Sequence, residues 1–176
     1  MATIVQGEWW ELATDADLAL CTGNSTVRRD GALVMGRGLA REVRDRFPGI
    51  DRELAARIGE ARQLQGDDRY GVAIARRPFG MFDALPGDLR ARREAGDFDV
   101  GRAQIGVFQV KRYWGDAADL GLIGYSIERL NYLIAYMRES HRVVLNYPGI
   151  GNGRRSVEEV VPLLERLDVR VVVCYR

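Results

Sequence analysis

Histidine occurs once in this chain of 176 residues, as His141, and cysteine twice, as Cys21 and Cys174. Both cysteines sit in strand-like apolar runs, so no Cys/His spacing for zinc and no disulfide framework is expected, and one histidine argues against a histidine-based mechanism. No apolar run reaches the roughly 18 residues that a membrane span requires. The start, MATIVQGEWW, carries two tryptophans and Glu8 where a signal peptide would have a basic end and an apolar stretch. A membrane partner is thus not expected, and the cytoplasm is the expected compartment. Neither sign of charge dominates: 26 basic residues face 25 acidic ones, leaving no field to recruit nucleic acid or an anionic surface. No Pro/Ser-rich linker or internal repeat divides the chain, and its 47% hydrophobic content suits one core. A single domain over residues 1–176 follows. Lysine is the scarcest base: Lys111 stands alone, every other cation being arginine.

The residues that are present alternate between two patterns. TIVQG (3–7), LALCT (18–22), YGVAIA (70–75), IGVFQV (105–110), RVVLNY (142–147) and VRVVVCY (169–175) have the length and β-branched or aromatic content of strands. Helices are predicted over 38–47 and 51–64, split by Pro48-Gly49, and from Asp119 to about Ser140, where apolar residues recur every three or four positions. A last helix over 156–167 starts with Ser156 and Glu159 in capping-box spacing, and Pro162 falls inside it. Strands alternating with helices predict an α/β fold, a three-layer α/β/α sandwich around a mixed sheet. Residues 76–102 lack a sustained period and are read as an insertion, an excursion from the sheet.

Two glycine-rich segments lie between a predicted strand and a predicted helix. One holds Gly36, Arg37 and Gly38; the other holds Gly149, Gly151, Asn152, Gly153 and Arg154. Glycine lets backbone N–H groups approach a ligand, and a helix N-terminus adds about half a positive charge, so each segment can hold a phosphate. Two on one sheet edge suit a diphosphate. The competing reading gives the glycines to tight turns and helix packing. No Gly-Lys-Ser/Thr is present, and GIGNGR has Arg154 where G-x-G-x-x-G needs its last glycine.

GEWWELATDADLALCTGNSTVRRDGALVMGRGLAREVRDRFPG (7–49), VFQVKRYW (107–114) and NYPGIGNGRRSVEEVVPLL (146–164) together resemble the macrodomain family, the ADP-ribose-binding fold. The branch they are most similar to holds the terminal ADP-ribose protein glycohydrolase and the DNA-ADP-ribosylation antitoxins. That resemblance implies a cleft across the strand ends, with the glycine loops gripping the diphosphate of ADP-ribose. It implies that Glu8, after Gly7, takes the place of an aspartate that accepts from the adenine amino group, with Trp9 beside it. Tyr175 is placed flanking the adenine, and Asn24 near the distal ribose as a catalytic candidate. It implies no cofactor and no metal; the partner is ADP-ribose, or protein or nucleic acid carrying it.

The resemblance also gives Lys111 a role, as the lysine that attacks the anomeric carbon of the distal ribose. An amine can act as a nucleophile and form a Schiff base; a guanidinium cannot. The alternatives are a lysine that neutralises phosphate or faces solvent. One departure counts against catalysis. Where the related glycohydrolases carry an aspartate after the second loop, this chain reads Arg154-Arg155-Ser156-Val157. Three functions stay open: a hydrolase removing ADP-ribose from an O-linked acceptor such as an acidic side chain, a reader that binds without turnover, and a binder of another nucleotide or RNA end.

Overall fold

The computed structural model describes residues 1–76 and 103–176; apart from Arg76, the 76–102 insertion read from the sequence lies outside the described residues. Six strands form one sheet: β1 (Thr3–Gln6), β2 (Leu18–Gly23), β3 (Val72–Ile74), β4 (Gln104–Gln109), β5 (Val143–Asn146) and β6 (Val171–Tyr175). Their order is β1-β6-β5-β2-β4-β3. All pairs are parallel except β3 with β4, so the sheet is mixed, as the alternating pattern predicts. β3 is shorter than the 70–75 run. Gly71 takes a left-handed φ of 69°, and the amides of Tyr70 and Gly71 bond the Gln109 side chain instead of a neighbouring strand.

Period-two alternation along β2 sends Leu18 and Leu20 to one face and Ala19 and Cys21 to the other. On the second face pack α1 (Trp9–Ala13), α2 (Gly38–Arg46) and α3 (Ile50–Gln65), through Trp9, Val43, Ile50, Leu54 and Ile58. The first is covered by α4 (Leu120–Ala135) and α5 (Val157–Leu164), through Ile123, Ile127, Leu130, Val160 and Leu164. The result is the expected three-layer α/β/α sandwich.

The helix boundaries show which local signals carry. Asp119 caps α4 by accepting from the Leu122 amide, but the helix stops at Ala135, short of Ser140. There the amides of Tyr136 and Met137 turn back only three residues, to Leu133 and Ile134. Both halves of the Ser156/Glu159 capping box form, and α5 accommodates Pro162, whose missing N–H falls opposite the exposed Glu158. α1 was not anticipated. Five residues are too few for a helical period, and buried Trp9 and Trp10, rings edge to face at 4.9 Å, anchor it.

Candidate functional site

Because β1, β6, β5, β2 and β4 run parallel, their carboxyl ends share one edge, where open α/β sheets gather ligands. A cleft of about 1120 Å³ crosses that edge. Gly7, Tyr175 and Arg176 bound it where β1 and β6 end, and Lys111 bounds it beyond β4. β6 and β4 stand three strand spacings apart, about 14 Å.

The first glycine loop enters along the α1–α3 side of the sheet. Residues 26–34 make a small hairpin, with Val27 bridged to Leu33 and Gly31 at φ 81°. Asn24 ties its neck: the side-chain amide donates to the Val34 carbonyl (2.9 Å) and its oxygen accepts from the Thr26 amide (2.8 Å). Asn24 is 6% exposed and lines the cleft, with one N–H and one lone pair to spare. Gly36, Arg37 and Gly38 follow in the cleft wall. Gly38 opens α2 at φ 54°, a conformation that favours glycine. Gly36 is different: its φ is ordinary, and a Cβ built there meets nothing within 4 Å.

The second loop is wedged against the opposite layer. Gly149 has φ 84°, and a Cβ on it would stand 3.0 Å from Ile123; on Gly153 it would stand 3.2 Å from Ala118. Residues 151–153 form a single 3-10 turn, and the amide of Ala118 donates to the Gly153 carbonyl at 2.8 Å. Arg154 follows at a left-handed φ of 57°, which a non-glycine residue rarely adopts. Its guanidinium donates to the Gly115 carbonyl (2.6 Å), fastening this loop to the segment after Lys111.

Lys111 lies between the two loops. Its Nζ donates to the carbonyls of Asp116 (2.9 Å) and Asn152 (3.1 Å). Partial burial holds the amine below the ordinary lysine pKa, and the guanidiniums of Arg154 and Arg37 lower it further against an opposing pull from Asp116. A second cavity of about 270 Å³, lined in part by Arg112, Asp116 and Asp119, shares Lys111 as a wall.

At the other end Tyr175, 39% exposed, packs edge to face on Tyr147 with ring centroids 6.2 Å apart. Tyr147 is 4% exposed, and its enclosed hydroxyl has no partner among the described residues. Trp9 lines the cleft from the core side, its indole N–H donating to the Leu20 carbonyl at 3.1 Å. Cys21 and Cys174 are unpaired, and burial pushes both thiols up to about 12. Among the described residues no cluster of three metal-ligating side chains occurs, and no helix is long and apolar enough to cross a membrane.

No protein-family model matches the chain, and no curated protein does either. Solved structures do. The macrodomain of Mycobacterium tuberculosis DarG superposes with a TM-score of 0.61 at 21% identity, over 100% of this chain and 98% of that one. The macrodomain of Thermus aquaticus DarG gives 0.60 at 22%, with coverages of 100% and 98%. This chain has the macrodomain fold. Thermosipho africanus DarTG, solved in complex with ADP-ribose, gives a TM-score of 0.66 at 19% identity; 97% of this chain is covered, but only 40% of that one.

Within the macrodomain cleft stand Trp9, Asn24, Lys111, Tyr175 and the named residues of both glycine loops, Gly36 to Gly38 and Gly149 to Arg154. Glu8 is not among the lining residues. Its carboxylate accepts from Arg176 Nε at 2.8 Å, and it is Arg176 that lines the cleft there. Sequence reasoning overlooked Tyr147, Arg176 and Trp114, which also line it. The first two follow the last residues of β5 and β6, so the rule that ligands collect at parallel strand ends was the available signal. Trp114, three residues past Lys111 and 44% exposed, gave none.

Proposed function

We propose that this macrodomain binds ADP-ribose with its diphosphate across the two glycine loops and its distal ribose toward Lys111, and that it hydrolyses the bond between that ribose and an O-linked acceptor. The chain acts as one domain. The observation that carries the catalytic part is the setting of Lys111. A neutral amine has two N–H groups and one lone pair; donation to the Asp116 and Asn152 carbonyls uses both N–H groups and leaves the lone pair free. Burial and the two flanking guanidiniums favour that neutral form. Attack on the anomeric carbon forms a C–N bond while the C–O bond to the acceptor breaks, the acceptor oxygen leaving with the electron pair. The nitrogen loses a proton to solvent, the sugar opens to a Schiff base, and water adds to release ADP-ribose and regenerate the amine.

A second reading, binding without turnover, is favoured by the missing carboxylate. Ser156 and Glu159 are consumed by the α5 cap, and Arg154 and Arg155 are tied to the Gly115 and Ala118 carbonyls.

Incubation with ADP-ribosylated acceptors and identification of the product separates the two. Hydrolysis predicts free ADP-ribose from the wild type and none from Lys111→Ala or Lys111→Arg, with a borohydride-trapped adduct on the wild type alone. Full activity of Lys111→Ala would contradict the lysine route, and tight binding without product would establish the reader.

A further inference from the structure

Attack by the Lys111 amine leaves a proton to be moved. Once the C–N bond forms, the nitrogen is positively charged, and the sugar cannot open to a Schiff base until that nitrogen gives up a hydrogen. The Asp116 and Asn152 carbonyls bond the nitrogen, but a peptide oxygen accepts a hydrogen bond without taking the proton. Nor does the cleft supply a base of the usual kind: among the described residues that line it there is no aspartate, glutamate or histidine. Glu158 and Glu159, at the start of α5, line neither the cleft nor the smaller cavity of about 270 Å³ behind Lys111. That smaller cavity is lined by two acids, Asp116 and Asp119. Asp119 is engaged. One of its oxygens accepts from the Leu122 amide at 3.1 Å, capping α4, and the other lies 3.7 Å from an Arg112 nitrogen. Asp116 is held only by its backbone: its amide donates to the Tyr113 carbonyl (3.2 Å) and its carbonyl accepts from Lys111 Nζ (2.9 Å). Its carboxylate has no hydrogen bond or ion pair among the described residues.

Resting on the lysine route above, we propose that the Asp116 carboxylate is the proton acceptor for Lys111, doing from the segment after β4 what an aspartate after the second glycine loop would do. As the anomeric carbon bonds the amine, the acceptor oxygen departs with its electron pair and the nitrogen's proton passes to Asp116. Asp116 is exposed, and it hands that proton on to solvent. The nitrogen's freed pair then forms the C=N bond while the ring C–O bond breaks; its electrons go to the ring oxygen, which takes a proton from solvent. The carboxylate is suited to this by where its charge falls. It acts on the Lys111 amine against the guanidiniums of Arg154 and Arg37, so it attracts the positive charge that attack creates.

Release of ADP-ribose from a glutamate-linked ADP-ribosylated peptide, measured for the wild type and for Asp116→Asn, Asp116→Ala and Asp116→Glu beside calorimetry with ADP-ribose, tests this. Two roles for Asp116 predict opposite signs. An acid that acts through its charge alone opposes the lowering of the Lys111 pKa, so Asp116→Asn would leave more neutral amine and a rate equal to the wild type or above it. A proton acceptor predicts a fall of about a hundredfold or more in Asp116→Asn, with ADP-ribose affinity kept within about twofold. Asp116→Glu should retain more activity than Asp116→Asn, and added formate should raise the Asp116→Ala rate in proportion to its concentration. Wild-type or faster release by Asp116→Asn, or an Asp116→Ala rate indifferent to formate, would overturn the proposal and leave the lysine route standing. A wild type that binds ADP-ribose and releases none would remove the hydrolase reading itself, and this inference with it.

Discussion

Gly149 and Gly36 each stand in a glycine loop of the cleft, yet a side chain at Gly149 would meet Ile123 at 3.0 Å under a left-handed φ of 84°, while one at Gly36 would meet nothing. The second loop needs glycine to fold, because it is pressed against α4 and α5. At Gly36 in the first loop, neither backbone conformation nor packing calls for glycine. Two glycines that look alike in sequence therefore have different causes, and only Gly36 leaves its absent side chain to be explained by something that enters the cleft.

Substitution should break this symmetry, most visibly at Gly149. Gly149→Val combines left-handed strain with overpacking and should cost about 2–4 kcal/mol of stability, read as a lower urea midpoint with unchanged slope. Gly36→Val should leave stability within about 0.5 kcal/mol while cutting ADP-ribose affinity by more than about tenfold, since the added side chain occupies ligand space. A loss of stability comparable to that of Gly149→Val would end the distinction.

The loops also differ in the cation each brings to Lys111. Arg154 lowers the amine pKa more than Arg37 does, with burial the largest cause. Because the folded value is depressed, the native state binds fewer protons than the unfolded chain between that value and the ordinary lysine pKa. Stability linked to Lys111 therefore rises with pH across that window, and the neutral amine becomes available below the pH at which free lysine titrates. Arg154→Ala should move the alkaline transition of Lys111 upward, Arg37→Ala should move it less, and Asp116→Asn should move it downward. NMR titration of the only lysine reads all three, and a larger shift in Arg37→Ala would reverse the ranking. Between the two glycines of the second loop with a left-handed φ, the smaller stability effect is expected at Gly151, which has a φ of 61° but open space around it. Gly151→Ala should cost about 1 kcal/mol from backbone strain alone.

The sheet was legible because each strand is a run of β-branched or aromatic residues, and α4 because its apolar face repeats over four turns. α1 was not, since two tryptophans in five residues leave no period to read. Eight residues that line the cleft, Gly36 to Gly38, Gly149 and Gly151 to Arg154, were legible as glycine-loop signatures, whereas Trp9, Asn24, Lys111 and Tyr175 were reached only through the family resemblance. Glu8 was placed by its neighbourhood in sequence, but its position is decided by Arg176, 168 residues away. Tyr147 was marked only by its place just past β5, and its unpartnered hydroxyl is visible only once the surrounding strands have closed over it.

The central claim is that both loops grip one diphosphate with the distal ribose beyond it. The measurement that bears on it most directly is calorimetric titration of the intact chain with ADP-ribose and with AMP. One-to-one binding of ADP-ribose far above AMP is predicted, because AMP brings a single phosphate and no distal ribose. Equal affinity for the two would contradict the account.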